Sequence, residues 1–516
     1  MTLLLPAPAA TPAVLPPVSH RRLWVRVWLR AASVPLVVLM PLVALAPTAD
    51  HRFNLYWHGG LFRDHPLRIV PHTLASVPEY LTLGNFRPLG RMLEKALDLA
   101  AYTVSDLFSV PVTIPFRLVS FAAAIVLTVV AVLLAEAVVA PGRLFARAPS
   151  ALAATLPFAV GGGFVAAGAA SPAVLFGGLY LLSASLVLGV AAVICRVERR
   201  IGWTRAGLLI LLGAALAAFN EIAYLALPLA TVAVLVRRRI VLRVGGSGPA
   251  VRALFLLWLG FLPVFGAVRL IIRGHCAAGG CYRGSDLALG PGAVEAVPVR
   301  MAAWLPPLMW RSATQGAHRP WLAGAVTVVA LLVLGWLVAR AVRDLPRLTP
   351  VSRRQAYGVA AVAFAALLLG AALGALNADV QALAARHRWG QGWRDTAITA
   401  AAGAIAVTAI LHAVARRRLV AVLIVLGLAA TVSTAANKSY RDQLATREPA
   451  LLANRVAQEM ADFDRTPAGD ARRCALRTEF RALYAGSAFS RKRFDQSLDV
   501  AAEQQAGVRF CTREQP

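Results

Sequence analysis

The sequence predicts an all-α bundle of about eleven membrane-spanning helices with a small helical domain at its C-terminal end. Three observations predict it. Of 516 residues, 58% are hydrophobic and only 15% charged, too few to cover a water-facing surface. The apolar residues fall in blocks of roughly 17–25, the length that spans a bilayer as helix. Leu, Ala and Val runs dominate, without the alternation of a membrane barrel. The mean hydropathy of +0.65 agrees.

The formal charge of +28 raises the question of a nucleic-acid partner. The basic residues sit in short clusters at the ends of apolar runs, which is how topology signals are distributed, not a phosphate-tracking groove. Nucleic acid is therefore excluded as a partner, and membrane lipids take its place. Almost every basic residue is Arg; Lys95, Lys438 and Lys492 are the only lysines.

Each element follows in order. Residues 1–22, rich in Ala and Pro, read as a disordered cytoplasmic tail without the basic-then-apolar order of a signal peptide. The bundle covers 23–436. Spans are expected at 31–46, 118–140, 151–169, 172–195, 206–219, 222–236, 253–272, 321–341, 355–376, 396–415 and after 418. Basic clusters lie around Arg21–Arg30, Arg143–Arg147, Arg196–Arg205, Arg237–Arg252, Arg343–Arg354 and Arg416–Arg418. All of them share one side if the spans alternate, which puts the N-terminus inside and the C-terminus outside. Loops at 47–114, 273–319 and 377–396, and the tail 437–516, are then extracytoplasmic. Leu444, Leu451, Leu452, Val456 and Met460 recur at helical spacing in the tail, and Thr466-Pro467-Ala468-Gly469 marks a turn.

The five cysteines fit this sidedness. Cys276 and Cys281 share one outer loop, Cys474 and Cys511 share the tail, and Cys195 is alone at the inner edge. Paired outer thiols and a single inner one suit an oxidising exterior, so disulfides Cys276–Cys281 and Cys474–Cys511 are expected.

Few residues can carry chemistry. Asp50, at the outer end of the first span, sits where partial burial would raise a carboxylate toward a useful general base; a helix end reaching water is the plain alternative. Asn220-Glu221 interrupts an apolar run, where an ionisable group costs of order 2–3 kcal/mol to insert. Either Glu221 faces an outer cavity or the pair caps a tight turn. Asn85-Phe86-Arg87-Pro88-Leu89 opens an amphipathic helix suited to the outer interface, with Leu89, Leu93 and Leu97 on one face and Arg91, Glu94, Lys95 and Asp98 elsewhere. Arg87 there binds a lipid phosphate or only anchors the helix. Trp389-Gly390-Gln391-Gly392-Trp393-Arg394-Asp395 sets rings and an Arg at the membrane surface; Trp389 suits the aromatic belt, and Arg394 pairs with a phosphate or with Asp395. Gly161, Gly162 and Gly163 suit close helix packing. No metal-ligand spacing, phosphate-cradling glycine loop or nucleophile elbow is present, so a nucleotide-driven pump is not expected.

Asp50, then Phe86-Arg87-Pro88-Leu89, then Asn220-Glu221 ahead of Leu227-Pro228-Leu229 together resemble the GT-C class of membrane glycosyltransferases. They are similar in particular to the protein O-mannosyltransferases and their bacterial relatives, over roughly the first 240 residues. The chain departs from that pattern in having His51 where a second acid is usual, Asn220 in place of Lys, and no tetratricopeptide repeats. The resemblance implies a bacterial plasma-membrane enzyme of the cell envelope that moves a sugar from a polyprenyl-phosphate donor to an extracytoplasmic acceptor, glycan or protein. Asp50 and Glu221 would be catalytic, and Arg87 and Arg394 would hold the donor phosphate. His51, Asn220 and Trp393 would line the acceptor pocket. No cofactor or metal ligand is assigned, though a divalent cation is left open. The competing reading is a non-catalytic membrane protein or a lipid-carrier translocase in envelope polysaccharide assembly.

Overall fold

The computed structural model describes residues 19–48, 50–245, 248–277, 281, 287–316 and 324–512. Most of the expected tail, parts of the 273–319 loop and the first residues of the expected 321–341 span lie outside these. Within them the chain is helical, with two isolated bridges, Ser150 to Thr349 and Leu287 to Asn377. Residues 20–22, expected in the tail, already form the first turn of α1 (His20–Leu39), which the Ser19 side chain caps by accepting from the Arg22 amide.

Among the described residues, eight helices are long and apolar enough to cross a membrane. They are α1, α6 (Thr113–Val139), α8 (Leu179–Ile194, entered through a short turn from Phe176), α11 (Pro249–Ala277), α14 (Ala325–Asp344), α15 (Arg353–Ala375), α17 (Thr396–Val414) and α18 (Leu419–Ala445). Three other expected spans are shorter pieces. α7 (Leu152–Gly162) stops after eleven residues, α9 (Trp203–Ala217) after fifteen, and α10 (Ala226–Leu235) runs into a π-helical turn through Leu242. Between α9 and α11 the chain breaks at Asn220-Glu221, as the interrupted apolar run suggested.

The early end of α7 has a physical reason. A Cβ on Gly161 would stand 2.7 Å from a Val34 methyl of α1, so glycine permits the close crossing, and the chain then leaves the helix through residues 163–175. Unwound backbone in an apolar setting must find internal partners. Two buried side chains supply them. Asn437, fully buried, donates to the carbonyls of Val38 (2.8 Å) and Phe164 (2.9 Å) and accepts from the Ala166 amide (2.8 Å). Arg117, also fully buried, donates to Leu45 (2.9 Å), Ala46 (2.9 Å) and Val174 (2.7 Å) carbonyls. Asn437 is thus part of α18, which continues to Ala445, and does not begin a polar tail.

The basic clusters meet at one end of the bundle. Asp344 binds Arg26 at 2.6 Å and buried Arg30 at 3.1 Å. The Trp24 indole donates to the Arg147 carbonyl at 2.9 Å, Arg196 to Ala140 at 2.7 Å, and Arg237 to Ala137 at 2.7 Å. Arg196 and Arg237 thus bind the carbonyls left open at the end of α6.

The opposite end holds the segments between α1 and α6, namely α2 (His51–Phe62), α3 (Ile69–Ala75), α4 (Val77–Thr82) and α5 (Pro88–Phe108). α12 (Pro291–Ala303), α13 (Pro306–Thr314) and α16 (Ala378–Ala385) are also there. The 273–319 stretch is not simply a polar loop: Trp304, Met309 and Ala313 are buried in the bundle core. The last three helices, α19 (Glu448–Ala461), α20 (Pro467–Leu483) and α21 (Ala488–Ala506), share an apolar core with Phe53 and Tyr56 of α2 and Tyr102 of α5. The Tyr102 hydroxyl donates to the Ala501 carbonyl at 3.2 Å, and Arg52 bonds the Tyr484 hydroxyl. Both expected disulfides are present, Cys276–Cys281 and Cys474–Cys511, and Cys195 is free and buried.

Candidate functional site

A cavity of about 1550 Å³ opens at the end away from the basic clusters. Its walls come from α2, α3, α4, α5, the 219–224 break, α11 and the 391–395 loop. Asp50, Arg87, Glu221, Trp393 and Arg394, spread over 345 positions of sequence, all line it.

One junction makes this convergence. The first amides of a helix and the last carbonyls of another lack intrahelical partners. Here they satisfy each other: Leu89 donates to the Ala218 carbonyl at 3.1 Å and Gly90 to the Phe219 carbonyl at 3.0 Å. A Cβ on Gly90 would come within 2.3 Å of that Phe219 oxygen, so only glycine permits the contact. Pro88 at the first helical position forfeits no needed donor. The start of α5 is thereby fastened to the end of α9, and Arg87 and Glu221 arrive on the same cavity wall.

Glu221 is half-buried, and burial pushes its carboxyl up. The charges of Arg87, Arg394 and Arg269 outweigh that and hold it below the usual carboxylate range. It is a standing anion and does not resemble a base with a raised pKa. Burial pulls the Arg87 guanidinium down, but Glu221 and Tyr180 more than restore it, so Arg87 stays charged. Asn220 does not line the cavity. It is buried, donates to the Ser183 hydroxyl at 2.7 Å and accepts from the Ala223 amide at 3.1 Å, so it secures the break; the turn-capping alternative fits it and the pocket role does not.

α2 and α5 run side by side. Asn54 meets Glu94 at 3.4 Å, and His58 Nδ1 meets Asp98 at 2.8 Å. Asp50 is exposed to the cavity, more open than the partial burial expected of it. His51 turns the other way. It is buried against Phe116 and Phe176, with Nδ1 3.2 Å from Asp98, and takes no part in the cavity. Burial opposes its protonation, yet Asp98 raises its pKa above the ordinary value; burial likewise works against the Asp98 charge, and His51 and His58 lower its pKa.

The polar face of α5 reverses the expectation of a helix lying on the interface with its charges in water. Glu94, Lys95 and Asp98 are buried, while Val104, Leu107 and Phe108 are exposed along with Leu67, Val70 and Leu74 from the preceding segment. The helix is amphipathic as predicted, but its charged face lines the protein interior.

The 389–395 loop is set by close backbone approach. Gly392 bonds the Ala167 carbonyl through its amide, and a Cβ there would fall 2.7 Å from that oxygen. Arg394 does not pair with Asp395. Buried Arg300 of α12 takes that carboxylate in a fork at 3.0 and 2.9 Å, which frees Arg394 to lie over the Tyr180 and Trp393 rings at 5.9 and 5.7 Å. Trp389 is exposed, as belt aromatics are.

The sequence reading missed Arg91, Lys95, Glu94, Tyr180, Tyr224 and Arg269, which share the cavity. The stretch from Arg87 to Asp98 was assigned a solvated face, although four charges within eight positions of a helix could have marked a buried polar wall. Tyr180 and Arg269 lie inside apolar runs and gave no local sign. Among the described residues, none of Arg87, Arg91, Lys95, Arg269 and Arg394 belongs to an ion pair, and the Nε atoms of Arg87 and Arg91 are buried without a hydrogen-bond partner. No group of three His, Cys, Asp or Glu residues able to hold a metal occurs among them. These five cations share the recess with the carboxylates of Asp50, Glu79, Glu94 and Glu221, none of them within ion-pair distance.

Compared with known proteins, the chain matches no family model, no curated protein and no solved structure.

Proposed function

We propose that this chain is a membrane transferase of the GT-C type that moves a sugar from a polyprenyl-phosphate donor to an acceptor on the outer side of a bacterial plasma membrane. The eight long helices and the three shorter apolar segments then count as about eleven spans, with the basic end in the cytoplasm and the cavity, α19–α21 and both disulfides outside. What supports the reading is one observation above the rest: an acid, two arginines and a glutamate from separate motifs line a single cavity.

In this reading Arg87 and Arg394 hold the donor phosphate and stabilise the charge that grows on it as the sugar leaves. Tyr180 lies between them, and Glu221 keeps Arg87 oriented. Asp50, which lines the same cavity, takes the proton of the acceptor hydroxyl as its oxygen attacks the anomeric carbon. A translocase would need a passage to the basic end; the residues lining the cavity belong to the other end.

The test is turnover of polyprenyl-phosphate sugars by the purified chain. Transfer should be measurable with the native protein and fall to background in Asp50→Asn with an unchanged melting temperature. Undiminished transfer by that variant would remove Asp50 from the mechanism, and no turnover of any such donor would remove the reading itself.

A further inference from the structure

The cavity has more cationic wall than one phosphate can use. Arg87, Arg91 and Lys95 recur every fourth residue of α5, so Lys95 stands about 12 Å along the axis from Arg87. That is too far for both to serve one phosphate or the two phosphates of one diphosphate.

Lys95 is built into its place. It is 7% exposed, and its ammonium donates to Thr73 Oγ1 at 2.8 Å and to His72 Nδ1 at 3.2 Å. Neither partner carries negative charge, and no carboxylate forms an ion pair with Lys95 among the described residues. Glu94, next to it on α5, is approached instead by the Asn54 amide. An ammonium has three donors, and two are used here, so the third is left for whatever enters the cavity. His72 is exposed and lines the same wall. If its Nδ1 accepts from Lys95, its proton resides on Nε2, which makes the imidazole a second donor. Arg91 completes the patch, its guanidinium held 3.4 Å over the Tyr80 ring and its buried Nε unpartnered. Burying an ammonium without a counter-charge is costly, and a ligand anion would relieve it.

We propose that Lys95, with His72 and Arg91, forms a second anion-binding subsite that receives the carboxylate or phosphate ester of an acidic acceptor sugar. This rests on the transferase reading for the word acceptor, but not for the subsite. A negatively charged acceptor would be oriented by Lys95 at one end of the cavity while the donor phosphate is held by Arg87 and Arg394 at the other. The hydroxyl to be glycosylated then lies between them, on the wall that carries Asp50 and Asn54.

Calorimetric titration of the full chain in detergent with glucuronate, glucose 6-phosphate, glucose and farnesyl phosphate tests it. At least one acidic sugar should bind about tenfold more tightly than glucose, or about 1.4 kcal/mol. Lys95→Gln should abolish that preference and Lys95→Arg should retain most of it. A preference confined to glucuronate identifies a carboxylate, and one confined to glucose 6-phosphate a phosphate ester. Equal affinities for the three sugars in the native protein, or a preference that survives Lys95→Gln, would overturn the subsite. A Lys95-dependent preference without farnesyl phosphate binding would keep the subsite and discard the donor reading.

Discussion

The amide of Gly90 donates to the carbonyl of Phe219 over 3.0 Å and so ties the first turn of α5 to the last turn of α9. Two weak local features, an Arg-Pro-Leu-Gly helix start and a polar break in an apolar run, become one wall through this bond. Gly90→Val forces a Cβ to within 2.3 Å of the carbonyl. The strain should cost about 1–3 kcal/mol and separate Arg87 from Glu221. Thermal unfolding in detergent should show a lowered midpoint, and binding of farnesyl phosphate should weaken in the fraction that remains folded.

Arg87→Gln keeps an amide donor near the position of Nε and removes the charge and the terminal guanidinium nitrogens. Under the transferase reading this deletes a donor aimed at the departing phosphate, a loss of about 10²–10³ in turnover. It also releases Glu221 from its main counter-charge, so the Glu221 carboxyl should titrate higher than in the native chain. Steady-state kinetics with a polyprenyl-phosphate sugar checks the first effect. An infrared carboxylate titration checks the second, and both should move together.

The Asp98 carboxylate joins α2 to α5 through His51 and His58. The His51 pKa is raised in the fold, so its contribution is complete below the unfolded value of about 6.5 and is lost as pH rises through the folded one. The Asp98 pKa is lowered, so its contribution is present above an unfolded value of about 3.9 and is lost as pH falls through the folded one. Stability should therefore peak between these limits and decline on both sides. Asp98→Asn should remove about 3 kcal/mol near pH 6 and flatten the profile. An undiminished slope in that variant would assign the dependence elsewhere.

Asn437 makes three hydrogen bonds to backbone that α1 and the stretch after α7 leave open. Asn437→Leu retains volume and leaves those groups unsatisfied, at a cost of about 1–3 kcal/mol each before relaxation. A large fall in melting temperature is expected, with hydrogen exchange increased at Ala166 ahead of the long helices.

The helical, membrane-type architecture was legible because length and hydropathy alone decide what can cross a bilayer. The positions of Asp50, Glu221, Arg87 and Arg394 were legible as exceptions, each a charged residue where an apolar or merely anchoring one would serve, and Trp393 as a ring beside one of them. Their company was not. Local pattern could not tell that α5 turns its charges inward, because an amphipathic helix has the same periodicity whether its polar face meets water or a cavity. It also could not assign Asp395 to Arg300 ahead of its neighbour Arg394, since that choice depends on α12 entering the bundle from a stretch expected to be a polar loop.

By itself, the sequence determined that the chain is a bundle of apolar helices with basic clusters recurring between them, and that one apolar run breaks at Asn220-Glu221. Those outcomes follow from transfer free energies and backbone hydrogen bonding, which act over a few turns. The tertiary structure alone decided that His51 and Asn220 are buried away from the cavity, that the last three helices share a core with α2, and that Lys95 lines the cavity. Each of these depends on which distant segment covers a side chain, and burial of charge is a property of the packed whole.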